Sequence, residues 1–478
     1  MKGLITYFTI TLCIITAFSC SQIKKAKTKN SEKPNVIIIL TDDQGYGDVS
    51  FNGSTEISTP HIDRIAYEGV KFNNGYVTYA VCGPSRMGLI TGRYQDRFGG
   101  SRNPLWAPND INQGLPLSEE TMADVLGKEG YKSIAIGKWH LGAHNDLRPL
   151  NRGFDEFYGF LTGGHKYFPE EWTLSDISQV KSQFDAYRTK LLRNNTRVEE
   201  QEYLTDALSR EAVDFIDRNS QKPFFMYLAY NAPHAPLQAT EKYLNRFKNV
   251  SDIKRRTYLA MVSAVDDGVG QILSKLEDKG IDDNTMIFFL SDNGGAIKNA
   301  SYNGELSGWK GSLFEGGIHV PFALRWPKMI QKGVEYNPMI SSLDIMATAV
   351  AFSEAKPTNN LDGVNIVPFI RGDVKGVPHE ALFWRKFDDK DYAVRQGELK
   401  YLSIKDRKTN VRTTSYFDLQ NDLSEKNNLS DLEEKQKESL IRKYKKWEGD
   451  MMMPKYLGLL QNSEYTSLNP NRFVTEVY

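Results

Sequence analysis

Cys82 stands in the run Cys82-Gly83-Pro84-Ser85-Arg86, which continues through Leu89-Ile90-Thr91-Gly92-Arg93. The chain has three cysteines, and the other two, Cys13 and Cys20, fall in an apolar N-terminal stretch. Once that stretch is removed on export, Cys82 has no partner for an internal disulfide, and a lone thiol in an oxidising compartment calls for a reason. One reading is a buried, inert cysteine. The other is a reactive group. Pro84 suits a first helical turn and Ser85 to Thr91 reads as a helix start, so Cys82 would sit at the positive end of a helix beside Arg86, where an anion is stabilised. Asp42-Asp43 and Asp292-Asn293 offer hard oxygen ligands of the type calcium or magnesium takes, although each pair alone also fits a solvated turn. Lys138 and His140 are two residues apart and on an extended strand end would face the same side; a surface lysine and a structural histidine are the plainer reading. His234 lies between Pro233 and Pro236, which fix the backbone on both sides and suit a group held within reach of a leaving oxygen.

Short apolar runs alternating with helical patterns carry these residues, the signature of parallel strands with crossover helices. Val36-Ile37-Ile38-Ile39-Leu40 reads as a strand buried on both faces. Thr121 to Lys128 reads as a helix leading into the strand Ser133 to Ile136, and Leu204 to Ile216 as a helix before the strand Phe224 to Leu228. The clearest helix carries Tyr258, Val262, Val265, Val269, Ile272 and Leu276 at steps of four and three, and it feeds the strand Met286 to Leu290. Asp42 and Asp43, Lys138 and His140, His234, and Asp292 and Asn293 follow the ends of these four strands, where sites gather in open α/β sheets. Beyond about residue 372 the character changes. Short strands at Ala381–Trp384, Tyr392–Arg395, Lys400–Ser403 and Ser415–Asp418, then an amphipathic helix over Leu432 to Trp447, predict a small α+β subdomain.

Cys-x-Pro-Ser-Arg followed by Leu-Ile-Thr-Gly-Arg resembles the signature of the type I sulfatases of the alkaline phosphatase superfamily. The resemblance covers most of residues 34–430 and implies an α/β fold with a large, mostly parallel sheet flanked by helices and a C-terminal antiparallel sheet. It implies that Cys82 is oxidised by a formylglycine-generating maturation enzyme and that the hydrated aldehyde attacks sulfur. It further implies one Ca2+ ion bound by Asp42, Asp43, Asp292, Asn293 and the residue at 82. Gly137-Lys138-Trp139-His140 matches the family segment whose lysine holds a formylglycine hydroxyl and whose histidine is the base that helps expel sulfate. Arg86 would stabilise the formylglycine oxygens, His234 matches the sulfate-binding histidine, and Gly308-Trp309-Lys310-Gly311-Ser312 makes Lys310 the second active-site lysine. The expected activity is hydrolysis of sulfate esters, exo-acting on sulfated poly- or oligosaccharides. Algal galactans such as carrageenan, or ulvan, come first as substrates, with glycosaminoglycans or aryl sulfates as the alternative. His165 and Arg385 are the candidate substrate-facing residues. Two rivals are a phosphohydrolase of the same superfamily, which would normally carry Ser or Thr as nucleophile and more than one metal, and a non-catalytic glycan-binding lipoprotein, which would not need the intact lysines and histidines.

Residues 1–20 read as a secretory segment, with Lys2 before the uncharged stretch Leu4 to Phe18. Ala17-Phe18-Ser19-Cys20 resembles a lipobox, so Cys20 is the expected lipidation site and the protein a bacterial lipoprotein facing the periplasm or cell surface; the alternative is a soluble periplasmic protein. Residues 21–33 read as a flexible tether, residues 34–372 as the catalytic domain and 373–478 as the C-terminal subdomain. Sixty basic and sixty acidic residues balance, which gives no sign of nucleic-acid binding and leaves a polyanionic substrate to a local cluster of positive charge.

Overall fold

The computed structural model describes residues 33–473, except 176, 407 and 430–433. The expected secretory segment with Cys20, and the tether apart from Lys33, therefore lie outside the described residues. Among the described residues no helix is long and apolar enough to cross a membrane.

Five parallel strands form the centre of a ten-stranded sheet: β1 (Asn35–Thr41), β2 (Lys132–Lys138), β3 (Glu156–Phe160), β4 (Phe224–Ala229) and β5 (Thr285–Ser291), in the order β5-β1-β4-β2-β3. Every residue of β1, β4 and β5 is buried, which is why they read as unbroken apolar runs instead of alternating ones. Their side chains still alternate between two cores. Val36, Ile38 and Leu40 face one side with Tyr227 and Phe288, while Ile37 and Ile39 face the other with Met226 and Phe289. The flanks are mixed. Phe322–Arg325 and Val70–Phe72 extend one edge antiparallel, with Val334–Tyr336 outermost, and Leu192–Arg193 and Thr196–Arg197 extend the other.

Helices cover both faces. α1 (Cys82–Thr91) lies on the first, and all ten of its residues are buried. α2 (Leu204–Asn219) and α3 (Ile253–Asp278) cover the second through Leu208, Phe215, Val265 and Ile272. The Asp252 side chain caps α3 by accepting from the N–H groups of Lys254 and Arg255, satisfying two of the free donors at its start.

The C-terminal sheet is a four-stranded antiparallel meander, β6 (Leu382–Lys386), β7 (Asp391–Gln396), β8 (Leu399–Lys405) and β9 (Arg412–Asp418). One face, through Leu382, Trp384, Ala393, Leu402 and Phe417, packs on Tyr76, Leu313 and Ile318 of the main body. The other holds α4 (Glu434–Glu448) through Leu440, Tyr444 and Trp447. A buried ionic network ties this sheet to the segment that carries Lys310. Lys400 Nζ lies 2.8 Å from both Glu315 Oε1 and Glu425 Oε1, and the Glu315 N–H donates to Glu425 Oε2 at 2.7 Å. The Lys400→Met variant would leave two buried carboxylates without their ammonium. It is expected to lose about 3–5 kcal/mol of stability in denaturant unfolding; a loss within error of zero would show that the network does not hold the sheet in place.

Candidate active site

The register of the sheet builds the acidic centre. Thr41 pairs with Ser291 across β1 and β5, so the first residues past both strand ends, Asp42 and Asp292, come out side by side, and the Asp292 N–H donates to Thr41 O at 3.0 Å. Asp43 turns back with φ +63°, a left-handed conformation that aspartate tolerates better than most residues, and its N–H donates to Asp292 Oδ1 at 3.2 Å. Asn293 Nδ2 donates to Asp43 Oδ1 at 2.8 Å and to Gly294 O at 2.9 Å. That leaves Asn293 Oδ1 buried with no hydrogen-bond partner among the described residues.

Cys82 is brought to this centre as the first residue of α1. Its Sγ lies 3.4 Å from Asp42 Oδ1 and 3.2 Å from Lys310 Nζ. The next N–H, of Gly83, donates to Asn103 Oδ1 at 2.8 Å, and a Cβ at 83 would sit only 2.9 Å from that same oxygen, so glycine is required there. Ligand atoms of Asp42, Asp43, Cys82 and Asp292 all lie within 4.8 Å of one another, a grouping that can hold a metal ion. The orphaned Asn293 oxygen fits the same purpose, since a buried carbonyl without a donor is costly unless something accepts its lone pair.

Buried carboxylates at such spacing need compensating cations. Arg86 Nε lies 2.9 Å from Asp292 Oδ2, Lys138 Nζ 2.5 Å from Asp42 Oδ2, and Lys310 Nζ 2.6 Å from Asp43 Oδ1. Burial works to raise the Asp42 pKa, but the charges of Lys138, His234, Arg86 and Lys310 together hold it well below the usual carboxylate range. Asp292 goes the other way, pushed up to about 6 by burial and then by the Asp42 charge. Burial, followed by the charges of Asp292 and Asp42, pushes the Cys82 thiol up to about 12 against the pull of Lys138 and Lys310. The expectation of an anion stabilised at the helix end is thus reversed for the thiol, because burial and then the neighbouring carboxylates disfavour its charged form.

The two histidines flank the centre. His140 leaves β2 with φ +56°, so simple strand alternation from Lys138 does not place it. Burial first, then the charges of Lys138 and Arg86, holds its pKa well below the ordinary imidazole value, and its Nδ1 has no partner among the described residues. His234 Nδ1 lies 2.6 Å from Ala235 O, which fixes the ring with Nε2 facing Asp43 Oδ2 at 3.7 Å. Tyr167 Oη donates to His234 O at 2.8 Å from behind.

Residues 34–353 match the sulfatase family. The chain belongs to the sulfatase family. As a sulfatase it is a sulfuric ester hydrolase, and residues 307–449 match the C-terminal family described as N-sulphoglucosamine sulphohydrolase, C-terminal. Human N-acetylgalactosamine-6-sulfatase is 33% identical over 388 residues, 74% of this chain and 72% of that protein. The uncharacterized sulfatase YdeN of Escherichia coli (strain K12) is 32% identical over 408 residues, 74% of this chain and 68% of that protein. Among solved structures, Ps i-CgsB in complex with k-i-k-neocarrahexaose is 37% identical with a TM-score of 0.83, covering 93% of this chain and all of that one.

Not every expected site residue reaches the centre of this sulfatase. His165 was expected to face substrate, but it is fully buried with Nδ1 2.8 Å from Lys166 O and Nε2 2.7 Å from Thr189 O, so no ring nitrogen is left for a ligand. Arg385 is likewise buried, with Nε 2.9 Å from Asp96 Oδ1 and an Nη on Met452 O at 2.6 Å; it binds the chain to itself. Sequence reasoning missed Asn103, which holds the N–H of Gly83 beside Cys82, and Asn299, whose Nδ2 donates to Asp43 Oδ2 at 3.1 Å. Asn103 lies in a loop and Asn299 ends a single 3-10 turn, Ile297–Asn299, and neither has a local pattern to mark it.

Two outcomes follow from this geometry. Added Ca2+ at about one hundred times its Kd should stabilise the wild type by about 2.7 kcal/mol, and Asp292→Ala should abolish that gain in thermal melts; an equal gain in the variant would exclude Asp292 as a ligand. In unconverted, metal-stripped protein Cys82 should resist iodoacetamide well above the free-thiol pKa of about 8.5, and rapid alkylation at that pH would contradict the field described.

Proposed function

We propose that the protein removes sulfate from sulfated glycans built on galactose-configured sugars, carrageenan-type galactans first, with Cys82 matured to formylglycine and one Ca2+ held by Asp42, Asp43, Asp292 and Asn293. The observation that carries this reading is the placement of Cys82 Sγ between Asp42 and Lys310 at the head of α1. A thiol pushed up to about 12 is a poor nucleophile at neutral pH, which favours a matured residue over the cysteine itself. The bound cation would neutralise charge on the non-bridging sulfate oxygens. Two comparisons support the sugar class: one relative is an N-acetylgalactosamine-6-sulfatase and one solved neighbour holds k-i-k-neocarrahexaose, and both names point to galactose-configured sugars. Ulvan, glycosaminoglycans and aryl sulfates are the remaining substrates to compare.

The chain's own residues divide the work. Lys310 Nζ, between Cys82 and Asp43, meets the sulfate oxygens and can protonate the departing alcohol, a role shared with His234 Nε2. The attacking hydroxyl passes its proton to the Asp292 carboxylate, which lies within 4.8 Å of the position-82 atom, as its oxygen bonds to sulfur. The bond from sulfur to the sugar oxygen breaks and the alcohol takes the proton of Lys310 or His234. His140, kept neutral with a free Nδ1, accepts the proton of the second hydroxyl at position 82, after which sulfate leaves and the aldehyde re-forms. Lys138 and Arg86 offset charge on the oxygens there. Beside Lys310 opens a cleft of about 340 Å3 lined by Arg102, Lys386, Asp388 and Leu460, where the sugar would lie. Arg102 and Asp388 are paired there, with Nε 3.1 Å from Oδ1, so the wall offers both signs of charge to a hydroxyl-rich ligand.

Sulfate released from κ-ι-κ-neocarrahexaose, N-acetylgalactosamine 6-sulfate and an ulvan oligosaccharide tests the reading. The first is expected to be the best substrate, and Cys82→Ala should lower turnover by at least about a thousandfold. Release from none of the three by fully matured enzyme would overturn the substrate class. Export and lipid attachment at Cys20 form part of the same proposal and rest on sequence alone. Wild type should partition into membranes and Cys20→Ala into the soluble fraction; equal soluble recovery would refute the anchor and leave the chemistry untouched.

A further inference from the structure

The segment Gly163-Gly164-His165-Lys166-Tyr167, whose histidine does not reach substrate, has another use. A Cβ at Gly163 would sit 2.8 Å from His140 Nε2, and one at Gly164 would sit 2.8 Å from Tyr187 Cε2 and 3.0 Å from Tyr187 Oη. Two adjacent glycines therefore let the backbone close on the His140 imidazole and on the Tyr187 phenol. Tyr187 is held by its own backbone: its carbonyl accepts the Lys166 N–H at 3.0 Å, and His165 clamps the two ends of this loop by contacting Lys166 O and Thr189 O. Its ring meets Phe184 edge-on at 5.7 Å between centroids. Among the described residues its hydroxyl makes no hydrogen bond. Burial, and then the charges of Cys82 and Asp42, raise the pKa of this phenol above its ordinary value, so it stays a neutral donor.

We infer that Tyr187 is a substrate-contacting residue of the sulfatase site, its unpaired hydroxyl donating to an oxygen of the sugar that carries the sulfate ester. A half-buried hydroxyl left without a partner among the described residues, on the glycine loop that closes on His140, is arranged for a ligand acceptor. The inference rests on the proposed sulfatase reaction and adds how the alcohol part of the ester is chosen over a flat aryl group.

Tyr187→Phe keeps the ring over Gly164 and removes only the hydroxyl. With matured enzyme, kcat/KM for κ-ι-κ-neocarrahexaose is expected to fall about tenfold further than kcat/KM for 4-nitrocatechol sulfate. Gly164→Ala, which pushes the phenol aside, should give the same bias, whereas Gly163→Ala, which meets His140, should depress both substrates together. Equal changes on both substrates in Tyr187→Phe, or no change on either, would overturn the assignment while wild-type turnover still upholds the sulfatase reading. Calorimetric binding in the Cys82→Ala background reads the same contact without turnover. There Tyr187→Phe should weaken neocarrahexaose by about fivefold, and an unchanged affinity would likewise overturn the contact.

Discussion

Three carboxylates, Asp42, Asp43 and Asp292, are buried within reach of one another at the ends of two neighbouring parallel strands, and most of the site follows from that constraint. Like charges this close cannot remain ionised in a protein interior unless cations meet them. Arg86, Lys138 and Lys310 arrive from three different parts of the chain to do so. The Asn293 oxygen, buried and unpaired, marks where fixed protein charge stops and a mobile cation suits better. The same surroundings set the state of Cys82: burial first, then the charges of Asp292 and Asp42, hold its thiol neutral, which is the reason for proposing that position 82 acts as a matured residue.

The fold serves this centre in two ways. Parallel register delivers Asp42 and Asp292 as neighbours without any loop having to find its place. The C-terminal sheet then acts at a distance, because the Lys400, Glu315 and Glu425 network anchors the segment that follows Lys310. Ser307 Oγ donates to Ser424 O at 2.7 Å on the other side of that lysine. The segment carrying Lys310 is thus tied to the C-terminal region on both sides, through Ser307 and through Glu315, so that buried charge joins apolar packing in holding the small sheet.

Much of this was legible in the sequence. The strands at 36–40, 224–228 and 286–290 announced themselves as continuous β-branched and aromatic runs because both their faces are covered, and the chemical residues stood just past their ends. The meander after residue 381 was legible for the opposite reason, its short strands being separated by turn residues. What stayed hidden depends on contacts distant in sequence. The strand Glu156–Phe160 has glycine within it and no strong pattern, and the flanking strands are only two to four residues long. His165 and Arg385 carried the right chemistry for a glycan, but their partners, two carbonyls and Asp96, come from tertiary packing. Tyr187 lies in a loop with no motif, and only the closure of Gly164 upon it reveals its position.

The central claim is that activity belongs to the matured residue at position 82, set among the buried carboxylates and lysines. Preparations made with graded co-expression of a formylglycine-generating enzyme would give a series of conversion levels, read by peptide mass spectrometry at residue 82, against the initial rate of sulfate release. The account predicts a straight line through the origin. A sample with full activity and only unmodified Cys82 would contradict it.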